Sequence, residues 1–395
     1  MKKVLSFSFV LMLGLIASQI LPGLLGEGYG TLRMLSDTLL YVCLSFIMIN
    51  VGREFELDKS KWRSYTADYF IAMATAAMPW LLIALYYVFV LLPPEFWGSG
   101  TAWKENLLLS RFAAPTSAGI LFTMLAALKL NNTWMYKKIQ VLAIFDDLDT
   151  ILLMIPLQIM MIGMRWQLFA VVAVVVLLLW FGWKKLNHYD APQGWFHILL
   201  YAVFVYALTQ AIYVSTHGLF GEDGGVHIEV LLPAFVLGMV LKTRHSESKH
   251  EHRAADIIST LFMFLVGLSM PLFIGLEESA NSSTSLTASQ PMMSWGEIAL
   301  HVVAVSLLSN LGKLFPMLFY RDRKLSERLA LSIGMFTRGE VGAGVIFIAL
   351  GYNLGGPALI ISVLTLVLNL VLTGGFVLLV KQLALKTYGN QTENC

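Results

Sequence analysis

The sequence predicts an all-α, polytopic membrane protein with about twelve transmembrane helices. Of the 395 residues, 57% are hydrophobic and only 13% are charged, whereas soluble domains contain about 25% charged residues. Twelve apolar stretches approach or exceed the roughly 20 residues that a helix needs to cross a bilayer. The only two cysteines, Cys43 and Cys395, cannot build a disulfide framework. These observations exclude soluble and disulfide-rich classes of protein.

We number the apolar stretches as spans 1 to 12 in chain order. They cover residues 4–25, 34–52, 67–92, 107–130, 138–162, 167–186, 196–215, 226–242, 255–276, 296–319, 328–351 and 357–384. Residues 1–18 also fit a cleaved signal peptide. The apolar run continues past Ala17, and the repeat described below needs this helix, so we expect span 1 to remain.

Basic residues alternate between the two ends of the predicted spans. The connections on one side contain most of the 27 basic residues, from Lys2 and Lys3 to Lys381 and Lys386. The opposite connections contain few basic residues, which are Arg33, Lys104 and Arg165, with Arg111 close by. By the positive-inside rule both termini are cytoplasmic, and we expect the protein in a bacterial inner membrane.

The two halves of the chain resemble each other. Residues 46–52 of span 2 (FIMINVG) parallel residues 262–268 of span 9 (FMFLVGL). An offset of seven spans is odd, so spans 1–5 and 8–12 would form five-helix repeats of opposite orientation. Inverted repeats are typical of secondary transporters, which bind their cargo near the bilayer midplane where interrupted helices meet.

Spans 4 and 11 carry helix-breaking residues at equivalent repeat positions. Residues 114–119 (APTSAG) interrupt span 4, where Pro115 removes a backbone donor. Residues 337–344 (TRGEVGAG) place charges and three glycines inside span 11. We therefore predict interrupted helices that cross near Pro115 and Gly339. The alternative is a proline kink in one helix and close glycine packing in the other.

Span 5 contains Asp146, Asp147 and Asp149. Each carboxylate at membrane depth costs roughly 2.5–3.5 kcal/mol on insertion scales, so intramembrane acids usually mark an ion or proton path. Adjacent carboxylates repel each other, which separates their protonation steps. Such a site can hold a proton or a metal cation in turn. This is the chemistry of a cation/proton exchanger.

Two basic residues of the second half also lie at membrane depth. Lys313 lies about as deep in span 10 as Asp146 does in span 5, which predicts a salt bridge between them. The alternative is that Lys313 snorkels to the interface. Arg338 and Glu340 in span 11 are predicted to compensate the like-signed helix ends that meet where broken helices cross.

These motifs together resemble the cation/proton antiporter superfamily, nearest the electrogenic sodium/proton antiporters with a paired aspartate on the fifth helix. The resemblance rests on residues 114–117, Asp146–Asp147, Gly312–Lys313 and residues 338–342 (RGEVG), and it covers nearly the whole chain. It implies exchange of Na⁺ or Li⁺ for H⁺ by alternating access. It further implies that Asp147 binds the cation and returns with a proton, and that Asp146 pairs with Lys313.

The hydroxyl groups near the predicted crossing are candidate cation ligands, because Na⁺ is a hard ion that takes oxygen donors. They belong to Thr116, Ser117 and Thr150. Asp149 has no counterpart in the resembling family, and we expect it to face an aqueous cavity or bond a neighbouring helix. No nucleotide motif is present, so we expect no cofactor, nucleotide or nucleic acid, only the transported ions and the lipid bilayer.

The resemblance also implies a division into a core and a scaffold that forms a homodimer. Predicted scaffold segments are residues 1–52 and 196–276, core segments are 67–162 and 296–384, and residues 167–186 are a linker helix. Two alternatives of the same fold are a K⁺/H⁺ antiporter and a sodium-coupled solute transporter. An intramembrane aspartyl protease is disfavoured, because neither Asp146 nor Asp147 lies in a Gly-x-Gly-Asp setting.

Overall fold

The computed structural model describes residues 2–54, 62–128, 130, 133–162, 166–186, 188–220, 230–241, 249–270, 286, 293–352 and 354–388. Over these residues the chain forms fourteen α-helices and no strand, apart from one isolated bridge between Tyr189 and Leu241. The helices are α1 (Lys2–Leu25), α2 (Tyr29–Glu54), α3 (Trp62–Tyr86), α4 (Gly100–Ser110), α5 (Ala118–Ala127), α6 (Trp134–Ile162), α7 (Trp166–Lys184), α8 (Trp195–Phe220), α9 (Leu231–Val240), α10 (Lys249–Leu268), α11 (Trp295–Lys313), α12 (Leu325–Gly334), α13 (Glu340–Gly351) and α14 (Gly356–Tyr388). The predicted all-α fold class is confirmed.

The surface of these helices is apolar along much of their length. Phe9 on α1, Phe204 on α8 and Leu307 on α11 are each more than 60% exposed, at 64%, 63% and 66%. Extended apolar surfaces of this kind are stable in lipid but not in water. Within the described residues, seven helical stretches are long and apolar enough to cross a membrane. Each of the twelve predicted spans contains at least one helix.

Spans 4 and 11 are interrupted, as predicted. In span 4, α4 ends in a 3₁₀ turn over Arg111–Ala113, residues 114–117 are irregular, and α5 follows. In span 11, α12 ends at Gly334, residues 335–339 form a turn and a short irregular segment, and α13 follows. The two breaks are the fourth member of each five-span series. Pro115 explains the first break, since it lacks the backbone N–H that a continuous helix needs.

The chain divides into two compact units. The larger unit contains residues 1–26, 59–161 and 266–395, and the smaller contains residues 27–58 and 162–265. By its contacts, α1 therefore groups with the helices of the predicted core, whereas residues 1–52 were predicted to be one scaffold segment. The division of transport roles between a core and a scaffold stays a prediction.

In the larger unit, α11 packs against both α3 and α14, and α12 packs on α14. The contact between α11 and α3 is close because Gly312 has no side chain. A Cβ atom at this position would lie 2.6 Å from Pro79 Cα. Close packing at Gly312 therefore fixes the depth and rotation of the next residue, Lys313.

In the smaller unit, α2 packs along α9 and α8. Gly52 and Gly238 allow the backbones of α2 and α9 to touch. A Cβ atom at Gly52 would collide with Phe235 O, and one at Gly238 would collide with Ile49 O. Small residues at such crossings allow the close helix approach that is common in membrane proteins.

Candidate functional site

The two helix breaks of the larger unit are hydrogen-bonded to each other. The Ser117 amide donates to Thr337 O at 3.0 Å, and Thr116 Oγ1 donates to Met335 O at 3.1 Å. Gly339 permits this approach, since a Cβ atom there would lie 2.8 Å from Ser117 Oγ. Some backbone N–H and C=O groups at each break have no partner within their own helix, and the other break supplies one.

A buried ion pair lies at this crossing. Lys313 Nζ donates to Asp146 Oδ1 at 2.8 Å and to Oδ2 at 2.9 Å, and both side chains are fully buried. The Thr116 amide also donates to Asp146 Oδ2 at 2.7 Å. Lys313 therefore does not snorkel to an interface. The carboxylate of Asp146 lies where the amide-rich start of α5 favours negative charge.

Arg338 is the second buried cation at the crossing. Its Nη1 donates to Met335 O at 3.0 Å, just beyond the last turn of α12, and its Nη2 donates to Ser309 Oγ on α11 at 2.9 Å. A positive charge at a helix C-terminus offsets the partial negative charge of its unpaired carbonyls. The supporting role of Arg338 at the crossing stays a prediction. The Glu340 side chain lies outside the described residues.

The candidate cation ligands surround Asp146 and the first break. Thr150 Oγ1 donates to Asp146 O at 2.9 Å, one turn along α6. Ser117 Oγ accepts a hydrogen bond from the Ile120 amide at 3.4 Å and so caps α5. Asp147 lies within α6, and its side chain lies outside the described residues. Thr116 and Thr150 use their hydroxyl protons in these bonds, so their oxygen atoms keep lone pairs that could bind a cation.

Arg111 lies within span 4, close to the outer connections in the sequence. Its side chain is fully buried in the larger unit. Arg111 Nη2 donates to Asp149 O at 3.0 Å, and the guanidinium lies 4.6 Å from the centre of the Trp80 ring. The signal that could have identified it is its position three residues before the break at residue 114. An arginine so deep in a span needs partners.

Asp149 is also buried, with 1% of its surface exposed. The Tyr69 hydroxyl of α3 lies beside its carboxylate. Of the two expected settings, the structure places Asp149 against a neighbouring helix.

A further polar cluster lies near the start of α6. Asp68 of α3 accepts hydrogen bonds at 2.7 Å from Lys138 Nζ and from the Tyr320 hydroxyl. Burial and the Asp68 carboxylate raise the pKa of the Tyr320 hydroxyl, which therefore remains a proton donor to Asp68. Tyr320 has a φ of 51°, in the left-handed region that residues other than glycine seldom adopt. The bond to Asp68 stabilises this turn between α11 and α12.

Gly312→Ala is expected to lower the free energy of unfolding by about 1–3 kcal/mol, the usual cost of overpacking a tight contact. The added methyl group would push α11 away from Pro79 and move Lys313 relative to Asp146. Thermal unfolding in detergent measures the loss. Gly296→Ala on the same helix is the control, because a Cβ atom there meets nothing within 4 Å. Equal stability of both variants would contradict the close contact at Gly312.

Comparison with known proteins identifies the family of this chain and agrees with its fold. The family profile described as "Sodium/hydrogen exchanger, transmembrane" matches residues 3–382. The fold is similar to that of the sodium proton antiporter MjNhaP1 from Methanocaldococcus jannaschii, with a TM-score of 0.55 and 15% sequence identity, covering 97% of this chain and 92% of that chain. A search of curated proteins gave no significant match. The chain therefore belongs to the sodium/hydrogen exchanger family, whose members are multi-pass membrane antiporters and not enzymes.

Proposed function

We propose that this antiporter exchanges Na⁺ or Li⁺ for H⁺ by alternating access, and that its transport is electrogenic. The observation that carries this proposal is the buried Lys313–Asp146 pair beside the crossing of the broken helices. An ion pair at this depth is costly to bury and costly to break. Its position, one residue before Asp147 on α6, links any change in the pair to the proposed cation site.

Asp147 is the proposed binding group. Its carboxylate would hold either a cation or a proton, because a charged carboxylate at membrane depth is costly unless one of them neutralises it. Oxygen atoms of Thr116, Ser117 and Thr150 would complete the shell around Na⁺. Exchange follows from this competition, since a proton arriving from one side displaces the cation and a cation from the other side displaces the proton.

The Lys313–Asp146 pair would add a second proton to the cycle. If cation binding draws Asp146 away from Lys313, the desolvated ammonium loses its stabilising partner and can release a proton. On the return, Lys313 and Asp147 each take up one proton. Two protons would then move for each sodium ion, so each cycle would transfer one net charge.

Orientation and assembly are part of the same proposal. The basic residues concentrated in alternate connections support cytoplasmic termini, and we place the protein in a bacterial inner membrane. We also propose a homodimer in the lipid bilayer, as the resemblance implies. Labelling of a Ser326→Cys variant from either side of the membrane tests the orientation, because Ser326 is the second residue of α12, on the predicted cytoplasmic side.

Purified protein in proteoliposomes with a trapped pH-sensitive dye tests the transported ions. Na⁺ or Li⁺ added outside acidic vesicles is expected to raise the internal pH, and K⁺ is expected to have no effect. A response to K⁺ alone would replace the proposal with K⁺/H⁺ exchange. No response to any of the three cations would reject cation/proton exchange for this chain.

A further inference from the structure

Arg111 has an unusual environment for a fully buried cation. Its only hydrogen bond within the described residues is the one from Nη2 to the main-chain oxygen of Asp149. Its Nε and Nη1 atoms are buried without a partner. The Trp80 ring covers one face of the guanidinium, and Trp80 is itself held in place by a 2.7 Å hydrogen bond to Leu107 O.

Asp149 has a buried carboxylate oxygen, Oδ2, that accepts no hydrogen bond from the residues that the structure describes. Among the described side chains, Asp146 and Asp149 are the carboxylates that interact electrostatically with Arg111, but Asp146 is already bonded twice by Lys313 and once by the Thr116 amide. Of these two acids, Asp149 is therefore the one available to balance the charge of Arg111.

We propose that Arg111 and Asp149 form a fixed charge pair that sets the affinity of the neighbouring site for its cation. This inference rests on the proposed function, because it concerns the ion bound at Asp147. Asp149 is two residues from Asp147 on α6, and Arg111 precedes the break that carries Thr116 and Ser117. Both charges therefore lie close to the proposed ion, and in a buried site their fields are weakly screened.

The proposal predicts opposite effects from removing the two charges. Asp149→Asn removes a negative charge and leaves Arg111 unbalanced, so the site should repel the cation. Arg111→Gln removes the positive charge and leaves Asp149 unbalanced, so the site should attract the cation. For a unit charge about 10 Å away at an effective dielectric constant of about 20, each change amounts to about ten-fold in affinity.

The bond from Arg111 to the Asp149 carbonyl gives Arg111 a second, positioning role. It joins the 3₁₀ turn before the first break to the turn of α6 that carries the acids. Arg111→Lys keeps the charge but lacks the planar fork that bonds the carbonyl beneath Trp80. Comparing lysine with glutamine at this position thus separates the effect of charge from that of geometry.

The experiment measures sodium-driven proton exchange in proteoliposomes for wild type, Asp149→Asn, Arg111→Gln, Arg111→Lys and the Arg111→Gln/Asp149→Asn double variant. We expect the apparent KM for Na⁺ to rise about ten-fold in Asp149→Asn and to fall about ten-fold in Arg111→Gln. The double variant should return close to the wild-type KM, and lysine should largely reverse the shift caused by glutamine. The rise in unfolding temperature on adding Na⁺ provides an independent affinity scale that does not depend on transport rate.

A purely structural role would give a different result. Lower stability and maximal rate with an unchanged KM would overturn the proposal, as would KM shifts of the same sign in both single variants. If Arg111→Gln does not fold, the other two single variants test the proposal. Asp149→Asn must then raise the KM for Na⁺, and Arg111→Lys must leave it unchanged.

If wild type exchanges K⁺ instead of Na⁺, the same comparison is made with K⁺. A wild type without any exchange would reject the proposed function, whereas active variants with unshifted KM would reject only the charge pair.

Discussion

Asp147→Asn is expected to abolish cation/proton exchange without unfolding the protein. Asparagine has nearly the same shape as aspartate, but it can neither neutralise a cation nor release and rebind a proton. The rate of sodium-driven pH change in proteoliposomes should fall to that of protein-free vesicles. Because a neutral group replaces a costly intramembrane charge, thermal stability should be equal or higher.

Asp322→Asn is the matched control for this experiment. It makes the same chemical change at a carboxylate that is 73% exposed and lies in a surface pair with Arg323. Exposed pairs contribute at most about 1 kcal/mol, so both transport and stability should match wild type. Normal exchange by Asp147→Asn would show that the transported cation is bound elsewhere.

Lys313→Gln is expected to make exchange less electrogenic and the protein less stable. Removing the ammonium leaves Asp146 buried without its charged partner. Among the described residues, the Thr116 amide is then its one remaining donor. Breaking a buried pair in this way typically costs about 3–5 kcal/mol. If Lys313 carries the second proton, membrane current per transported sodium ion should fall towards zero, while pH-dye exchange continues at a reduced rate.

The double variant Lys313→Gln/Asp146→Asn separates charge from packing. It removes both members of the pair, so much of the lost unfolding free energy should return, because no buried charge is left unpaired. Current should stay low in this variant, since the proton carrier is still missing. Wild-type current per ion in Lys313→Gln would exclude the lysine from the transport cycle.

The sequence predicted the fold class well because membrane insertion imposes strong local rules. A span must be long and apolar, and basic residues favour one side, so each helix could be located from its own residues. The breaks were also predictable, because Pro115 and the glycines after Thr337 act on the backbone next to them. Lys313 and Asp146 could be paired by depth alone, since few charges occur at that level.

The environment of Arg111 could not be predicted in the same way. Its burial depends on the turn over Arg111–Ala113 that precedes the break and on the ring of Trp80, which lies on a different helix. The position of Arg111 near the predicted start of span 4 does not indicate which side chains of other helices surround it. Ser309, which accepts a hydrogen bond from Arg338, is one of many serines in apolar spans, and nothing in its local sequence distinguishes it.

The bonds between the two breaks also constrain how the protein is made. Thr116 and its acceptor Met335 are separated by 219 residues, and the Ser117 amide likewise bonds the second break at Thr337. At synthesis rates of roughly 5–20 residues per second, the first break waits about ten to forty seconds for its partner. During that time its backbone groups cannot be satisfied by lipid. The nascent fourth span must therefore stay in contact with water or the insertion machinery until residues 335–337 are in place. A ribosome stalled before residue 335 would leave a product that lacks the hydrogen bonds between the two breaks.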